Sequence, residues 1–416
     1  MHNPLTKRIV SGRVGALKSS LYLGGSILYV AVMAFENSTA SILLPEKLFT
    51  LIKIVALGLL CVSLFIPKGV PVWYIVVSTF MLCLSAGLYA TTTSTLPLFF
   101  VSMAFGSYGV ERKKVFSSIA LTIVVSAAII FTLALGGIIP NIMRTNNYGL
   151  LKYDMGFGYG SQPSQYIETV AICVILASDG ELSKKKAAGI AIAALVAFLL
   201  WNFITSFLIT VALLILVLLV QGVSPEKRTR DLFKVLSVSI YPIITVVTIA
   251  LTACFSASNQ FLSAVDRMLS WRLTLGKQAL DWHGVRLFGQ PVYFKGFGIN
   301  AAKSTIIESG GGYYELVDAN AGYTYVDSSY VLYLILLGIV FLLVSIGVYA
   351  AISWMAAEHS GLATVILLML LAVQCSINPL LVETYVNPAP ILLGLYSQER
   401  NLIRKSQLLQ DEGKAD

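Results

Sequence analysis

The sequence predicts an all-α polytopic membrane protein with about 12 transmembrane helices. Of the 416 residues, 57% are hydrophobic and only 12% are charged. A soluble domain carries roughly 25% charged residues, so this chain has too little polar surface for a water-soluble fold. Apolar runs long enough to cross a bilayer recur along the chain, and Lys and Arg gather in short clusters between them, as topology signals do.

The apolar runs define the candidate spans. A spanning helix needs roughly 20 mostly apolar residues. Such runs lie at 19–36, 47–66, 72–90, 95–110, 115–138, 164–179, 187–203, 204–222, 233–256, 328–352, 361–379 and 386–398. Asn202, Thr205 and Ser206 interrupt one long apolar stretch and predict a tight turn between two helices. The basic region before the first run favours an uncleaved helix over a signal peptide.

Basic residues predict the orientation. The clusters are at 7–18, 112–114, 184–186, 227–230 and 400–405. With twelve spans, every cluster falls on the same side, which the positive-inside rule assigns to the cytoplasm. Both termini are then cytoplasmic, and the chain lies in the cytoplasmic (plasma) membrane. The net charge of +8 reflects these clusters, and no basic stretch with interleaved aromatics indicates a nucleic-acid partner.

The spans imply a simple organisation of the chain. Residues 1–256 hold transmembrane helices 1–9 with a small external loop at 139–163. A large extracytoplasmic loop follows at 257–327, then helices 10–12 at 328–398 and a cytoplasmic tail at 399–416. A loop of roughly 70 residues is too long for a mere connection, so we expect any chemistry on the external side.

The large loop is predicted to contain an amphipathic helix over 261–282. On a helical wheel, Arg272 lies in the middle of the apolar face with Gly276 one turn away. One interpretation is an interfacial helix whose arginine reaches the headgroups. The other is an anion site, because a guanidinium on an apolar face is costly without a partner. The glycine would leave room for a phosphate, which the guanidinium binds with two donors.

Four further side chains are candidates for chemistry or structure. His283 is the one histidine in an external segment and is either a general base or a solvated loop residue. Glu168, at the outer end of a span, is a candidate base, an arginine partner or a hydrogen-bonding group between helices. Glu383 is the corresponding acid before the last span. Asp327 precedes a span and is predicted to be its N-cap.

Three segments resemble the Wzy-type repeat-unit polymerases of bacterial polysaccharides, within the O-antigen ligase and polymerase superfamily. Residues 266–290, DRMLSWRLTLGKQALDWHGVRLFGQ, are similar to that family's Arg-rich external helix and its LFGQ-like turn. YVDSSYVLYLILLGIV at 325–340 and ETYVNPAPILL at 383–393 are similar to its later spans. At 156–165, GFGYGSQPSQ has Gln-Pro-Ser where the family has His-Pro-Asn.

The resemblance implies a glycosyltransferase of GT-C-like architecture that polymerises undecaprenyl-diphosphate-linked oligosaccharides into capsule or exopolysaccharide. It implies stabilisation of the departing diphosphate by Arg272 and deprotonation of the acceptor by His283 or Glu168. No cofactor or metal is expected. Besides the bilayer, a chain-length regulator and a flippase of the same pathway are expected partners. The substrate-binding candidates are Arg267, Arg286, Arg144, Gly276 and Lys277.

Three alternatives remain open at the level of sequence. An O-antigen-ligase-like enzyme would use the same chemistry on a different acceptor. A flippase or transporter of lipid-linked sugar would show repeated halves and broken helices around a midplane site. The polar residues here gather outside instead. A non-catalytic scaffold would leave Arg272 without an explanation.

Overall fold

A computed structural model describes residues 12–66, 69–145, 151–223, 226–294, 306–310, 313–316 and 324–412. Within these ranges the chain forms helices almost throughout. The helices are α1 (Arg13–Glu36), α2 (Ala40–Leu43), α3 (Glu46–Phe65), α4 (Val72–Thr92), α5 (Leu96–Gly106), α6 (Arg112–Leu135), α7 (Gln162–Ala177), α8 (Lys184–Trp201), α9 (Ile204–Val220), α10 (Lys227–Ala253), α11 (Gln260–Met268), α12 (Arg272–His283), α13 (Ser329–Leu336), α14 (Gly338–His359), α15 (Leu362–Gln374) and α16 (Leu392–Glu412).

The helices confirm a helical membrane protein. In the described part of the chain, six of them are long and apolar enough to cross a bilayer, namely α1, α3, α4, α6, α10 and α14. Three shorter apolar helices are α5, α9 and α15. Each predicted apolar run contains helix. In the last predicted run, at 386–398, helix begins at Leu392, and α16 continues beyond the run to Glu412 through residues that favour helix.

The helices α8 and α9 form an antiparallel hairpin, as the polar interruption predicts. Asn202 ends α8 in the left-handed conformation, with φ of 58°, and α9 begins two residues later. Asparagine tolerates this conformation better than most residues. At the other end of the hairpin, the Leu182 amide donates to the Gln221 side chain at 2.7 Å. The two ends of the pair therefore lie on one side of the bundle.

Several of the basic clusters lie at one end of the bundle, which we call the basic face. Arg112 pairs there with Asp179, and with Glu399 at 3.3 Å. The Ser360 hydroxyl donates to Asp179 at 2.6 Å. On the same face Lys234 pairs with an acid at the end of α14. The opposite ends of these helices define a second face, the site face, formed by 36–44, 136–145, 151–161, 254–294, 324–329 and 375–391.

A small β-sheet on the site face joins the two long segments that the sequence predicts to be external. Its strands are β1 (Asn141–Thr145), β2 (Leu151–Tyr153), β3 (Ile306–Gly310) and β4 (Tyr313–Leu316), in the order β2-β1-β4-β3. The β1–β4 pair is parallel, and the other two pairs are antiparallel. The fold is helical as predicted, and this sheet is a local addition that the sequence did not predict. Strands of three to five residues are too short to show a period-two pattern.

Candidate functional site

The helix predicted over 261–282 is two helices, and the prediction of one continuous amphipathic helix was wrong. Between Met268 and Arg272 the chain leaves the helical conformation. Ser270 and Trp271 have φ of 57° and 67°, the left-handed region that non-glycine residues seldom adopt. The helical wheel does not hold across this break. Met268, assigned to the covered apolar face, is 85% exposed.

Asp266 fixes the break between α11 and α12. Its side chain is fully buried, and its Oδ1 accepts hydrogen bonds from the amides of Leu273 at 2.7 Å and Thr274 at 3.2 Å. Its Oδ2 accepts from the Thr274 hydroxyl. The first amides of a helix have no partner within the helix, so this carboxylate caps α12. The helical wheel had placed Asp266 on the solvent-exposed polar face.

Arg272 is the first residue of α12, and two backbone carbonyls hold its guanidinium. Its Nε donates to the Ile377 carbonyl at 3.1 Å, and its Nη1 donates to the Leu269 carbonyl at 2.8 Å. The side chain is 20% exposed. A guanidinium has five N–H donors. Within the described ranges Nη2 makes no hydrogen bond, so one edge of the fixed group is available to an anion.

Asp327 is the acidic neighbour of Arg272. Its Oδ2 lies 3.6 Å from the Arg272 Nε. The prediction that Asp327 caps the following helix was wrong, because Ser328 precedes α13 and no side chain caps that end. A nearby guanidinium is a stronger partner for a carboxylate than a backbone amide. An anion that binds Arg272 must therefore compete with Asp327.

Gly276 does not provide space for an anion, contrary to the prediction. It is buried, and a Cβ at this position would lie 2.7 Å from the Thr252 Cγ2 of α10. Real Cβ atoms do not approach a neighbour so closely. The glycine instead allows α12 to pack directly against α10, as small residues do between helices in membranes.

The segment Arg286–Gln290, which contains the LFGQ motif, fills the interruption between α13 and α14. Gly338 at this interruption has φ of 84°. The amides of Ile339 and Val340 donate to carbonyls of the inserted segment at 3.1 Å. A Cβ on Gly289 would lie 2.3 Å from a backbone oxygen of α13, so only glycine fits there. The motif therefore satisfies backbone groups that the break exposes.

The stretch between α15 and α16, residues 375–391, borders Arg272 and an acid. Arg272 donates to one carbonyl of this stretch, and the Tyr333 hydroxyl lies 2.9 Å from another, that of Pro379. The same hydroxyl lies 3.2 Å from Oε1 of Glu383. The stretch therefore places a cation and an acid along one short run of chain. From the sequence, Glu383 was noticed only as an acid before the last span.

Burial raises the pKa of the Glu383 carboxyl to about 7, and hydrogen bonds from Tyr333 and Tyr385 act in the opposite direction. A group with this pKa is about half ionised near neutral pH. A proton acceptor is most effective when its pKa lies near the working pH. Glu383 therefore has the ionisation behaviour that a general base requires.

Glu168 lies inside the helix packing, with 3% of its surface exposed. Neither carboxylate oxygen makes a hydrogen bond within the described part of the chain. The neighbouring polar side chain is Gln374, whose amide nitrogen is also unpaired there. No ion pair with an arginine forms among the described residues. The proposed role of Glu168 as a base stays a prediction.

The other predicted site residues lie along α12 or near it. Arg267 and Arg286 are exposed on the site face, and Lys277 pairs with an acid one turn further along α12. His283 ends α12, eleven residues after Arg272, which corresponds to about 16 Å along the helix. Arg144 lies in β1, where its backbone pairs with β2. The predicted cations are therefore distributed over α11, α12, β1 and the segment Arg286–Gln290.

The GFGYG segment lies beside the end of α1. The Thr39 amide donates to the Gly156 carbonyl at 2.8 Å. The Gly158 amide donates to the Gln162 side chain at 3.0 Å. Gln162, which stands where the similar family has histidine, therefore closes this loop.

These features define a class of protein, a helical membrane protein with an arginine and an acid along one stretch of its site face. Comparison with family models, curated proteins and solved structures finds no match for this chain.

Proposed function

We propose that this chain is a glycosyltransferase that joins undecaprenyl-diphosphate-linked oligosaccharide units into capsular or exopolysaccharide chains. In this proposal it crosses the cytoplasmic membrane about twelve times in a GT-C-like arrangement, with both termini in the cytoplasm. The observation that carries the proposal is Arg272. Its guanidinium is fixed by two carbonyls, has no hydrogen bond at Nη2 within the described ranges and lies along the same stretch as a partly exposed acid.

The sidedness of the bundle supports an external site. The basic face carries several of the Lys and Arg clusters, and the positive-inside rule places such clusters in the cytoplasm. The site face, with α11, α12, the sheet and residues 375–391, then faces outward. A lipid-linked oligosaccharide substrate in the outer leaflet would bind the protein on this face.

The reaction makes two demands that the site face could meet. The bond between the anomeric carbon and the diphosphate breaks, so negative charge develops on the departing lipid diphosphate. Arg272 would stabilise that charge with two donors, displacing Asp327 as its partner. The acceptor hydroxyl must also lose its proton. Binding of the remaining substrate phosphates and sugars by Arg267, Arg286, Arg144 and Lys277 stays a prediction.

Reconstitution of the purified full-length protein tests the proposal. Liposomes would contain the lipid-linked units that accumulate in a strain from which this chain has been deleted. We expect a ladder of longer glycans and release of one lipid diphosphate for each unit added. Transfer to lipid A alone, movement of units across the bilayer without joining, or no reaction would each overturn the proposal.

A further inference from the structure

Glu383 lies among hydroxyl groups. In the described part of the chain it forms no ion pair, so it does not serve as the partner of a structural cation. Phenolic side chains from three elements lie near it: Tyr29 of α1, Tyr333 of α13 and Tyr385 of its own stretch. A carboxyl that is partly exposed and surrounded by hydroxyls can bind a further hydroxyl, such as one on a sugar.

The Tyr333 hydroxyl can satisfy Glu383 in either protonation state. This hydroxyl has one proton and two acceptors within reach, the Pro379 carbonyl at 2.9 Å and Glu383 Oε1 at 3.2 Å. When Glu383 is ionised, the hydroxyl can donate to it. When Glu383 is protonated, the hydroxyl can donate to Pro379 and accept from the carboxyl. A group that gains and loses a proton in each cycle requires such an arrangement.

The other two predicted bases are less well placed relative to Arg272. His283 lies about 16 Å along α12 from Arg272. Glu168 is buried within the helices, whereas Glu383 is partly exposed at the site face. Glu383 belongs to the stretch 375–391, and Arg272 donates to the Ile377 carbonyl of the same stretch. Tyr333, which lies beside Glu383, also reaches this stretch at the Pro379 carbonyl.

We propose that Glu383 is the catalytic residue that takes the proton from the acceptor sugar hydroxyl, an assignment that rests on the proposed function. The acceptor O–H bond breaks, and its proton moves to the Glu383 carboxylate. The oxygen forms a bond to the anomeric carbon of the donor, whose bond to the diphosphate oxygen breaks. That electron pair leaves with the lipid diphosphate, near Arg272. The proton then passes from Glu383 to solvent, which restores the carboxylate.

The test compares Glu383→Gln with the wild type in the reconstituted polymerisation assay. General bases contribute typically about 10²- to 10⁴-fold, so we expect the rate to fall at least about 100-fold. Binding of the donor lipid should not change. Glu111→Gln is the matched control, because Glu111 is exposed and pairs with Lys114 at 2.9 Å at the start of α6, on the basic face. We expect its rate to stay within about twofold of wild type, as for a surface pair.

Tyr333→Phe provides a second measurement in case Glu383→Gln does not fold. Loss of this donor disfavours the charged carboxylate, so the pKa of Glu383 should rise. The rate, which increases as Glu383 ionises, should then reach its plateau at a higher pH. An inactive wild type would count against the proposed function itself. An active wild type with an equally active Glu383→Gln, or an unchanged pH profile in Tyr333→Phe, would overturn the assignment of Glu383.

Discussion

Arg272 combines a structural contact with a free binding edge. The sequence left two interpretations of this residue open, an interfacial arginine that reaches the headgroups and an anion site. The structure shows that the guanidinium also donates hydrogen bonds to two backbone carbonyls on the site face, those of Ile377 and Leu269. The two roles are compatible because these carbonyls use only two of the five donors. A lysine offers a single ammonium and cannot reproduce this geometry.

We expect Arg272→Lys to slow polymerisation by about 10- to 100-fold, which corresponds to the loss of one charge-assisted hydrogen bond of roughly 1.5–3 kcal/mol. The melting temperature should fall as well, because a carbonyl loses its donor. The rate of glycan formation and thermal unfolding in detergent are the two measurements. Arg228→Lys, at an exposed position beginning α10, is the control and should change neither. A Lys variant with a normal rate would indicate that charge alone suffices.

At the scale of elements, α12 is positioned by its cap and by its contact with α10. Asp266 fixes the first turn of α12, and Gly276 brings its middle against Thr252. The position of Arg272 depends on both contacts, since Arg272 begins this helix. The reaction chemistry of the site therefore depends on packing against α10, a helix that carries no proposed reacting group.

We expect Gly276→Ala to destabilise the protein by about 1–3 kcal/mol, because the new methyl would overlap Thr252 and push α12 away from α10. Thermal unfolding and the polymerisation rate should both decrease. If Gly276 instead provides space for a phosphate, the alanine variant would lose donor binding while its unfolding temperature stayed normal.

Two variants serve as controls for Gly276→Ala. Thr252→Ser removes the methyl group that the new Cβ would meet, so the double variant should recover much of the lost stability. Gly189→Ala lies in α8, where a Cβ would have no neighbour within 4 Å. It should be neutral or slightly stabilising, because alanine favours helix.

At the scale of the whole molecule, different interactions join distant segments at the two ends of the bundle. On the basic face, Arg112 joins the loop after α7 to α16 through Asp179 and Glu399. On the site face, the sheet joins the two long external segments, and the LFGQ segment closes the break between α13 and α14. Each face therefore has its own connections between distant parts of the chain.

Cysteine labelling tests which face is external. After replacement of the native cysteines, Ala257→Cys would place a thiol on the exposed loop after α10, at the site face. Lys113→Cys would place one on the basic face. A membrane-impermeant thiol reagent added to intact cells should label position 257, and should label position 113 only after the membrane is opened. The reverse pattern would contradict the proposed orientation and the external site.

The positions of the helices and of their turns could be predicted from sequence. Apolar runs and basic clusters are local signals, and they located helices in every predicted span and the hairpin turn at Asn202. They did not reveal the sheet, since its strands are short and its central pair, β1 with β4, joins residues more than a hundred positions apart. The break at Ser270 and Trp271 was also missed, because residues with these side chains are usually helical in such a pattern.

The sequence by itself determined that this chain is a helical membrane protein, because the cost of exposing apolar surface to water depends on composition alone. The tertiary structure decided what surrounds each polar side chain. It directed Asp327 toward Arg272, buried Asp266 as a cap, packed Gly276 against α10 and placed Glu383 beside Tyr333. Such contacts join residues far apart in the chain, and the strength of each depends on distance and burial, which exist only after the helices pack.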